Sequence, residues 1–343
     1  MKAVRFHTHG GPEVLVYEDA PDPVVRPGHV LVRVAACALN HLDLWQRGGL
    51  DRVTLPFPHI SGADVAGTIA EVGEGVHDLV AGQRVMLQPG LSCGRCAACL
   101  SNRDHQCDRY DVLGYQLDGG YAEMIAVPAE NIIPIPDSID FVSAAAFPLT
   151  FLTAWHMLFA CGHLTGDDTV LVVAAGSGVG QAAIQIAKMA QARVIATARG
   201  EDKCARASAL GADHVIDSTR EDVPRRVKAL TEGLGVNIVI EHVGAATWNQ
   251  SVRSLARGGR LVTCGATTGF EVSLDLRHLF ARQLTFAGSY MGSKAELLAA
   301  ADGFFQGRYA PVVDSTYPLR EAAEAQRRLA AGNQFGKIVL VVN

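Results

Sequence analysis

Two hydrophobic patterns divide the chain. Up to about residue 140 the apolar residues come in short runs, at 30–34, 68–72, 84–87 and 121–127. Turn pairs such as Pro27-Gly28 and Ala81-Gly82 separate them, so this part predicts the short strands of a compact all-β unit. From about residue 151 apolar runs at 169–174, 193–198, 237–243, 260–264 and 284–287 alternate with helical stretches, among them 181–190 and 201–210. That alternation predicts a parallel sheet covered on both faces by helices. The end returns to mixed character, with a helix expected at 319–331 and a strand at 337–342. The expected class is α/β: a β-rich domain (1–150), a doubly wound nucleotide-binding domain (151–290), and a return to the first domain (291–343). No internal repeat or low-complexity segment interrupts this order.

Residues 141–162 contain no Asp, Glu, Lys or Arg, which is long enough to cross a bilayer. Pro148 interrupts the stretch, and Thr150, Thr153 and His156 recur on one helical face. These features predict a buried helix between the domains, not a membrane span.

With 343 residues, two cores are the default. A hydrophobic share of 49%, a charged share of 19% and a net charge of −5 suit a globular protein and give no basic surface for nucleic acid. Of eight cysteines, Cys37, Cys161, Cys204 and Cys264 are scattered, which fits reduced thiols better than a secreted disulfide framework. The start, Met1-Lys2-Ala3-Val4-Arg5, has no apolar stretch of signal-peptide length. A cytoplasmic location is therefore expected.

The other four cysteines, Cys93, Cys96, Cys99 and Cys107, are spaced C-x2-C-x2-C-x7-C. Four thiolates fill a tetrahedral Zn²⁺ shell and leave no position for substrate, so the expected ion is one structural zinc. The x7 gap and the lack of proline after Cys107 depart from the ferredoxin-type iron–sulfur run.

A second motif follows the 169–174 run: Ala174-Ala175-Gly176-Ser177-Gly178-Val179-Gly180 leads into a helix. Free N–H groups and the helix dipole at such a turn favour a pyrophosphate. Ala175 and Ser177 stand at the first two glycine positions of the dinucleotide fingerprint and Gly180 at the third. The next strand ends Thr197-Ala198-Arg199-Gly200, without the acid that usually bonds the ribose of NAD. Arg199 and Lys203 offer charge to the 2′-phosphate of NADP(H), the cofactor this ending predicts.

The cysteine lobe, the 174–180 turn, Leu210-Gly211-Ala212-Asp213 and the 62–67 segment together resemble the medium-chain dehydrogenase/reductase superfamily over essentially the whole chain. The resemblance implies a GroES-like β domain with an inserted Rossmann domain. Its zinc alcohol dehydrogenases hold a catalytic metal through a Cys, a His and a later Cys. Here Asn40 stands at the first position, Ala63 at the second and Leu149 near the third. An amide, a methyl and an aliphatic chain are poor Zn²⁺ ligands, so a catalytic metal is not expected. The pattern is similar to the zinc-free quinone oxidoreductase and enoyl reductase branches, which often lack the cysteine lobe kept here. Cys37, His41, His59 and Asp64 are the neighbours from which another metal site could be rebuilt.

The resemblance further places Asn40 and Thr153 near the nicotinamide, with Asp43 and Asp64 beneath, and makes His41 the nearest proton relay. Trp45 and Tyr115 are pocket-wall candidates. Val243, Gly244, Gly265, Ser289 and Tyr290 end strands on the cofactor side. Without a metal electrophile, hydride addition is easiest to a conjugated acceptor, whose oxygen takes the charge. The expectation is an NADPH-dependent reductase of quinones or α,β-unsaturated carbonyl compounds. A rebuilt zinc alcohol dehydrogenase and a cofactor-binding protein without turnover stay open. A small molecule is the expected substrate, and the apolar run at 284–287 is an edge for a homodimer, with a tetramer also open.

Overall fold

The computed structural model describes residues 1–50 and 54–342. The chain forms two compact units, Met1–Leu149 with Ser293–Asn343, and Thr150–Gly292.

In the first unit, β1 (Lys2–Arg5) and β2 (Val16–Asp19) form an antiparallel ribbon. The main sheet begins with β3 (His29–Ala38), followed by helix α1 (His41–Gly48) and strands β4 (Asp64–Val72) and β5 (Arg84–Leu87). Along β3, Val30, Val32, Val34 and Ala36 are buried at every second position, the period of a strand with one face on a core. The cysteine lobe follows, with β6 (Gly90–Leu91), a single helical turn α2 (Ala97–Leu100) and β7 (Asp111–Val112). Then come β8 (Met124–Pro128) and β9 (Ile132–Pro134).

The 121–127 run is a strand only from Met124. Residues before it bond elsewhere: Tyr121 N donates to Ser61 O, Val4 N to Tyr121 O, and Glu123 N to Lys2 O. The N-terminal segment and Ser61 take those backbone groups, and β8 begins after them.

The uncharged 141–162 stretch is not one helix. It divides into α3 (Phe141–Ala146), α4 (Pro148–Trp155) and a wider π-helical turn (His156–Cys161). Pro148 has no N–H to continue α3, but it suits the first position of α4. Among the described residues no helix is long and apolar enough to cross a membrane.

The second unit carries β10 (Thr169–Val172), α5 (Gly178–Met189), β11 (Arg193–Ala198), α6 (Glu201–Ala209), β12 (His214–Asp217) and α7 (Val223–Leu230). It continues with β13 (Val236–Glu241), α8 (Trp248–Ser254), β14 (Leu255–Thr263), α9 (Leu276–Arg282) and β15 (Thr285–Gly288). All strand pairs are parallel, in the order β12-β11-β10-β13-β14-β15, a doubly wound sheet. Its central strands are buried on both faces, and Leu171, Ile195, Ile216, Val239 and Leu261 belong to one core. The order reverses beside β10, so its C-terminal end is the switch point where such sheets take ligands. β14 starts at Leu255, earlier than its apolar run at 260–264, because Leu255 already pairs with Val236.

The chain re-enters the first unit with α10 (Lys294–Phe305), β16 (Val313–Pro318), α11 (Ala322–Ala331) and β17 (Lys337–Val341). β17 lies antiparallel to β3, with Val339 opposite Ala38 and Leu340 opposite Cys37. That register carries Lys337 to the level of Asn40. Across β3 and β4, Ala38 faces Asp64. Three neighbouring strands thus deliver Lys337, Asn40 and Asp64 to one end of the sheet.

Candidate active site

Asn40 caps α1, and its backbone N–H donates to Asp43 Oδ2 at 2.8 Å. Its side chain is bonded to two other side chains. Oδ1 accepts from Lys337 Nζ at 2.7 Å, and Nδ2 donates to Asp64 Oδ2 at 2.9 Å. Lys337 Nζ also donates to Leu39 O at 2.7 Å and to Asp64 Oδ2 at 2.9 Å. The ammonium therefore spends its three donors on three acceptors. Asp64 Oδ1 accepts the Leu149 N–H at 2.8 Å.

Asp64 and Lys337 are 0% and 3% exposed. A buried pair survives only when its remaining lone pairs and protons are satisfied, as they are here, and deleting one partner costs about 3–5 kcal/mol. Below Asn40, Asp43 Oδ2 also accepts from Tyr121 Oη at 3.0 Å. Burial lifts the Asp43 carboxyl from its ordinary range to about 6, against the opposing pull of these donors.

Of the residues predicted from sequence in this unit, the structure joins Asn40, Asp43 and Asp64 into one network. It adds Lys337 and Tyr121, which sequence reasoning missed. His41 is the first residue of α1, its ring centroid 6.5 Å from that of Trp45. Tyr115 is half-buried, and its carbonyl accepts from Gln46 Nε2. Thr153 is buried in the second unit, on α4.

In the second unit, Ser177 caps α5 and its Oγ accepts from Gly180 N at 2.8 Å. Ala174 takes a left-handed φ of 53° to turn the chain out of β10. A Cβ on Gly180 would sit 2.5 Å from Ala174 O, so glycine there allows the helix to approach the strand. Gly176, Gly178 and Val179 complete the turn into the helix. This geometry fits a dinucleotide pyrophosphate against the N-terminus of α5.

β11 ends at Ala198, and Arg199 follows, exposed and without an ion pair among the described residues. Gly200, at φ 81°, then leads into α6, where Lys203 lies in the first turn, half-buried. Val243 N and Gly244 N donate to the buried Glu241, at 2.7 and 3.1 Å. Thr247 and Ser251 hydroxyls donate to the same carboxylate. Glu241 and His242 were missed by the motif reading, although two polar residues ending an apolar strand were a usable signal. His242 Nε2 lies 3.0 Å from Ser177 Oγ, and burial lowers the ring's pKa. Gly265 follows β14, where a Cβ would stand 3.1 Å from His242 O. Ser289 is buried after β15 and Tyr290 beside it is exposed.

The sulfur atoms of Cys93, Cys96, Cys99 and Cys107 all lie within 4.8 Å of one another. Cys96 and Cys99 are 3.5 Å apart, and Cys93 and Cys99 3.9 Å. Zn–S bonds of about 2.3 Å give a tetrahedral edge of about 3.8 Å, so the set fits one zinc. Backbone N–H groups of Arg95 and Cys96 draw the Cys93 thiol down to about 6, easing the loss of its proton. Among the described residues this is the one such metal-ligating group, and Cys37, His41, His59 and Asp64 do not gather into another.

Residues 26–137 match the alcohol dehydrogenase GroES-like domain, and residues 178–305 match the zinc-binding dehydrogenase family. An alcohol dehydrogenase of Geobacillus stearothermophilus is 31% identical, over 96% of both chains. A quinone oxidoreductase of Pseudomonas aeruginosa is 32% identical over 99% of both. The crystal structure of an NAD-dependent alcohol dehydrogenase superposes with a TM-score of 0.97, at 47% identity over the full length of both chains. This chain belongs to the medium-chain dehydrogenase/reductase superfamily of oxidoreductases.

Proposed function

We propose that the protein is an NADPH-dependent reductase of quinones or α,β-unsaturated carbonyl compounds that works without a catalytic metal. One observation carries this reading. Where zinc relatives mount a thiolate, Asn40 presents an amide already held by Lys337 and Asp64.

The turn at Ser177–Gly180 and the cation of Arg199 are the residues to hold the cofactor. When bound, its nicotinamide supplies the hydride. The residues of the first unit supply what a metal otherwise gives, a partner for oxygen charge. Hydride addition at the β-carbon of an enone leaves an enolate, and at a quinone a phenolate. Asn40 keeps one Nδ2–H beyond the one given to Asp64, and that donor can stabilise the oxyanion. Water then protonates the carbon or oxygen, completing the addition of hydride and proton.

The cysteine lobe holds one zinc with a structural part. The other four cysteines, Cys37, Cys161, Cys204 and Cys264, are unpaired, which supports a reducing cytoplasm. β15 stands at the end of the sheet order, an edge suited to pairing with the same strand of a second copy. A second reading, NAD-dependent alcohol oxidation, draws on the name of the 47% identical structure.

A panel of quinones, enals, enones and enoyl-CoA esters with NADPH and NADH, and of simple alcohols with NADP⁺ and NAD⁺, tests the reading. Turnover of the conjugated acceptors with NADPH supports it. Turnover confined to alcohols with NAD⁺ replaces it with the second reading, and binding without turnover removes both.

A further inference from the structure

Lys337 belongs to none of the motifs above, and 273 residues separate it from Asp64. It opens β17 after Gly336, which takes a φ of 100° and where a Cβ would stand 2.2 Å from Val312 O. The backbone is thereby bent to start β17 at the level of Asn40. We infer that Lys337 is a positioning residue for the reduction: its ammonium fixes the Asn40 amide with Nδ2 available to substrate oxygen and neutralises Asp64 beside the developing charge. The inference rests on the proposed role of Asn40 as donor to that oxygen.

An asparagine side chain has two orientations of similar shape. With Oδ1 toward Lys337 Nζ and Nδ2 toward Asp64, both contacts are attractive. Turned over, the amide would set N–H groups against an ammonium and an oxygen against a carboxylate. The cation and anion therefore select one orientation, at 7% exposure of the residue. In that orientation one Nδ2 proton is committed and the other is left. Lys337 also matters for charge. Without it, an unpaired Asp64 carboxylate would repel an enolate forming nearby, whereas the pair is neutral.

The test compares Lys337→Met, Asn40→Ala and their combination, using kcat and KM for an enone at saturating NADPH, with cofactor Kd on the same samples. Lys337→Met should lower kcat about 100-fold or more, in the range for losing an oriented donor, and leave the NADPH Kd within about twofold, because that site is built from other residues. In the Asn40→Ala background the same change should cost clearly less than in the parent, since the amide it positions is gone and only the charge of Asp64 is left unpaired. Unchanged kcat in Lys337→Met, or a full additional loss in the double variant, overturns the inference. Unchanged kcat in Asn40→Ala instead overturns the assigned role of Asn40.

A readout independent of turnover is the side-chain ¹⁵N–H₂ signal of Asn40. Slow exchange with solvent is expected in the parent protein and its loss in Lys337→Met, while equal protection in both contradicts the inference. If Lys337→Met does not fold because Asp64 is left bare, Lys337→Met/Asp64→Asn removes both charges. Loss of kcat and of protection in that variant supports the inference, and parental values of both refute it.

Discussion

Ser177 Oγ sits 3.0 Å from His242 Nε2 while it caps α5 by accepting from Gly180 N. The end of β13 thus holds the turn that opens α5, a link between two strand ends at the switch point of the sheet. Burial lowers the His242 pKa, so the ring is neutral at pH 7 and exchanges one hydrogen bond with the hydroxyl. His242→Ala removes that brace. The Kd values of NADPH and NADH should both rise, by about threefold to tenfold for one neutral hydrogen bond. Titration of cofactor fluorescence measures this, and an effect on only one cofactor contradicts the brace.

Arg199 is exposed and first after β11. If it meets the 2′-phosphate, Arg199→Ala raises KM for NADPH about 10-fold to 100-fold, the cost of a charge-assisted bond, and leaves KM for NADH within about twofold. Steady-state kinetics with the two cofactors decides. Equal effects on both remove the electrostatic argument for NADP(H).

The pH dependence of stability carries a sign set by Asp43. Its folded value of about 6 lies above the ordinary carboxylate value because burial disfavours the charge. Between about pH 4 and 6 the folded protein holds that proton more firmly than the unfolded chain does. The group therefore favours folding at low pH, and this contribution is lost as pH rises through about 6. Asp43→Asn retains an oxygen to accept from Asn40 N and Tyr121 Oη but has no charge to bury. Its Tm relative to the parent should be more favourable at about pH 8 than at about pH 4.5. A difference independent of pH contradicts the assignment.

The cysteine lobe predicts a separation of stability from chemistry. Cys99→Ser should lose zinc and lower Tm, because ligand binding energy is folding energy. The kcat per folded molecule should stay within about threefold, since a closed four-thiolate shell has no site for substrate. Metal analysis with calorimetry and kinetics checks this. A loss of kcat in fully folded protein would assign the lobe a part in the reaction.

Much of this was legible in the sequence because it is local. The cysteine spacing, the turn at 174–180 and the alternating runs each fix geometry within a few residues. The Asn40–Asp43 contact is also local, one turn of α1. Lys337 was not legible. It looks like an ordinary lysine before an apolar strand, and its meaning depends on the register between β17 and β3. Glu241 bonds residues within the next ten positions and so could have been found at the strand end, whereas His242 meets Ser177 only across the sheet. Pro148 was legible as an interruption of the 141–162 stretch, but hydropathy does not show that it opens a second helix or that this helix widens after Trp155.

The most direct test of metal-free reduction is the zinc content of a sample while it is turning over NADPH and an enone. Metal-free reduction requires one zinc per subunit, held by Cys93, Cys96, Cys99 and Cys107, in fully active protein. Two zinc ions per subunit, with activity following the second, would contradict it.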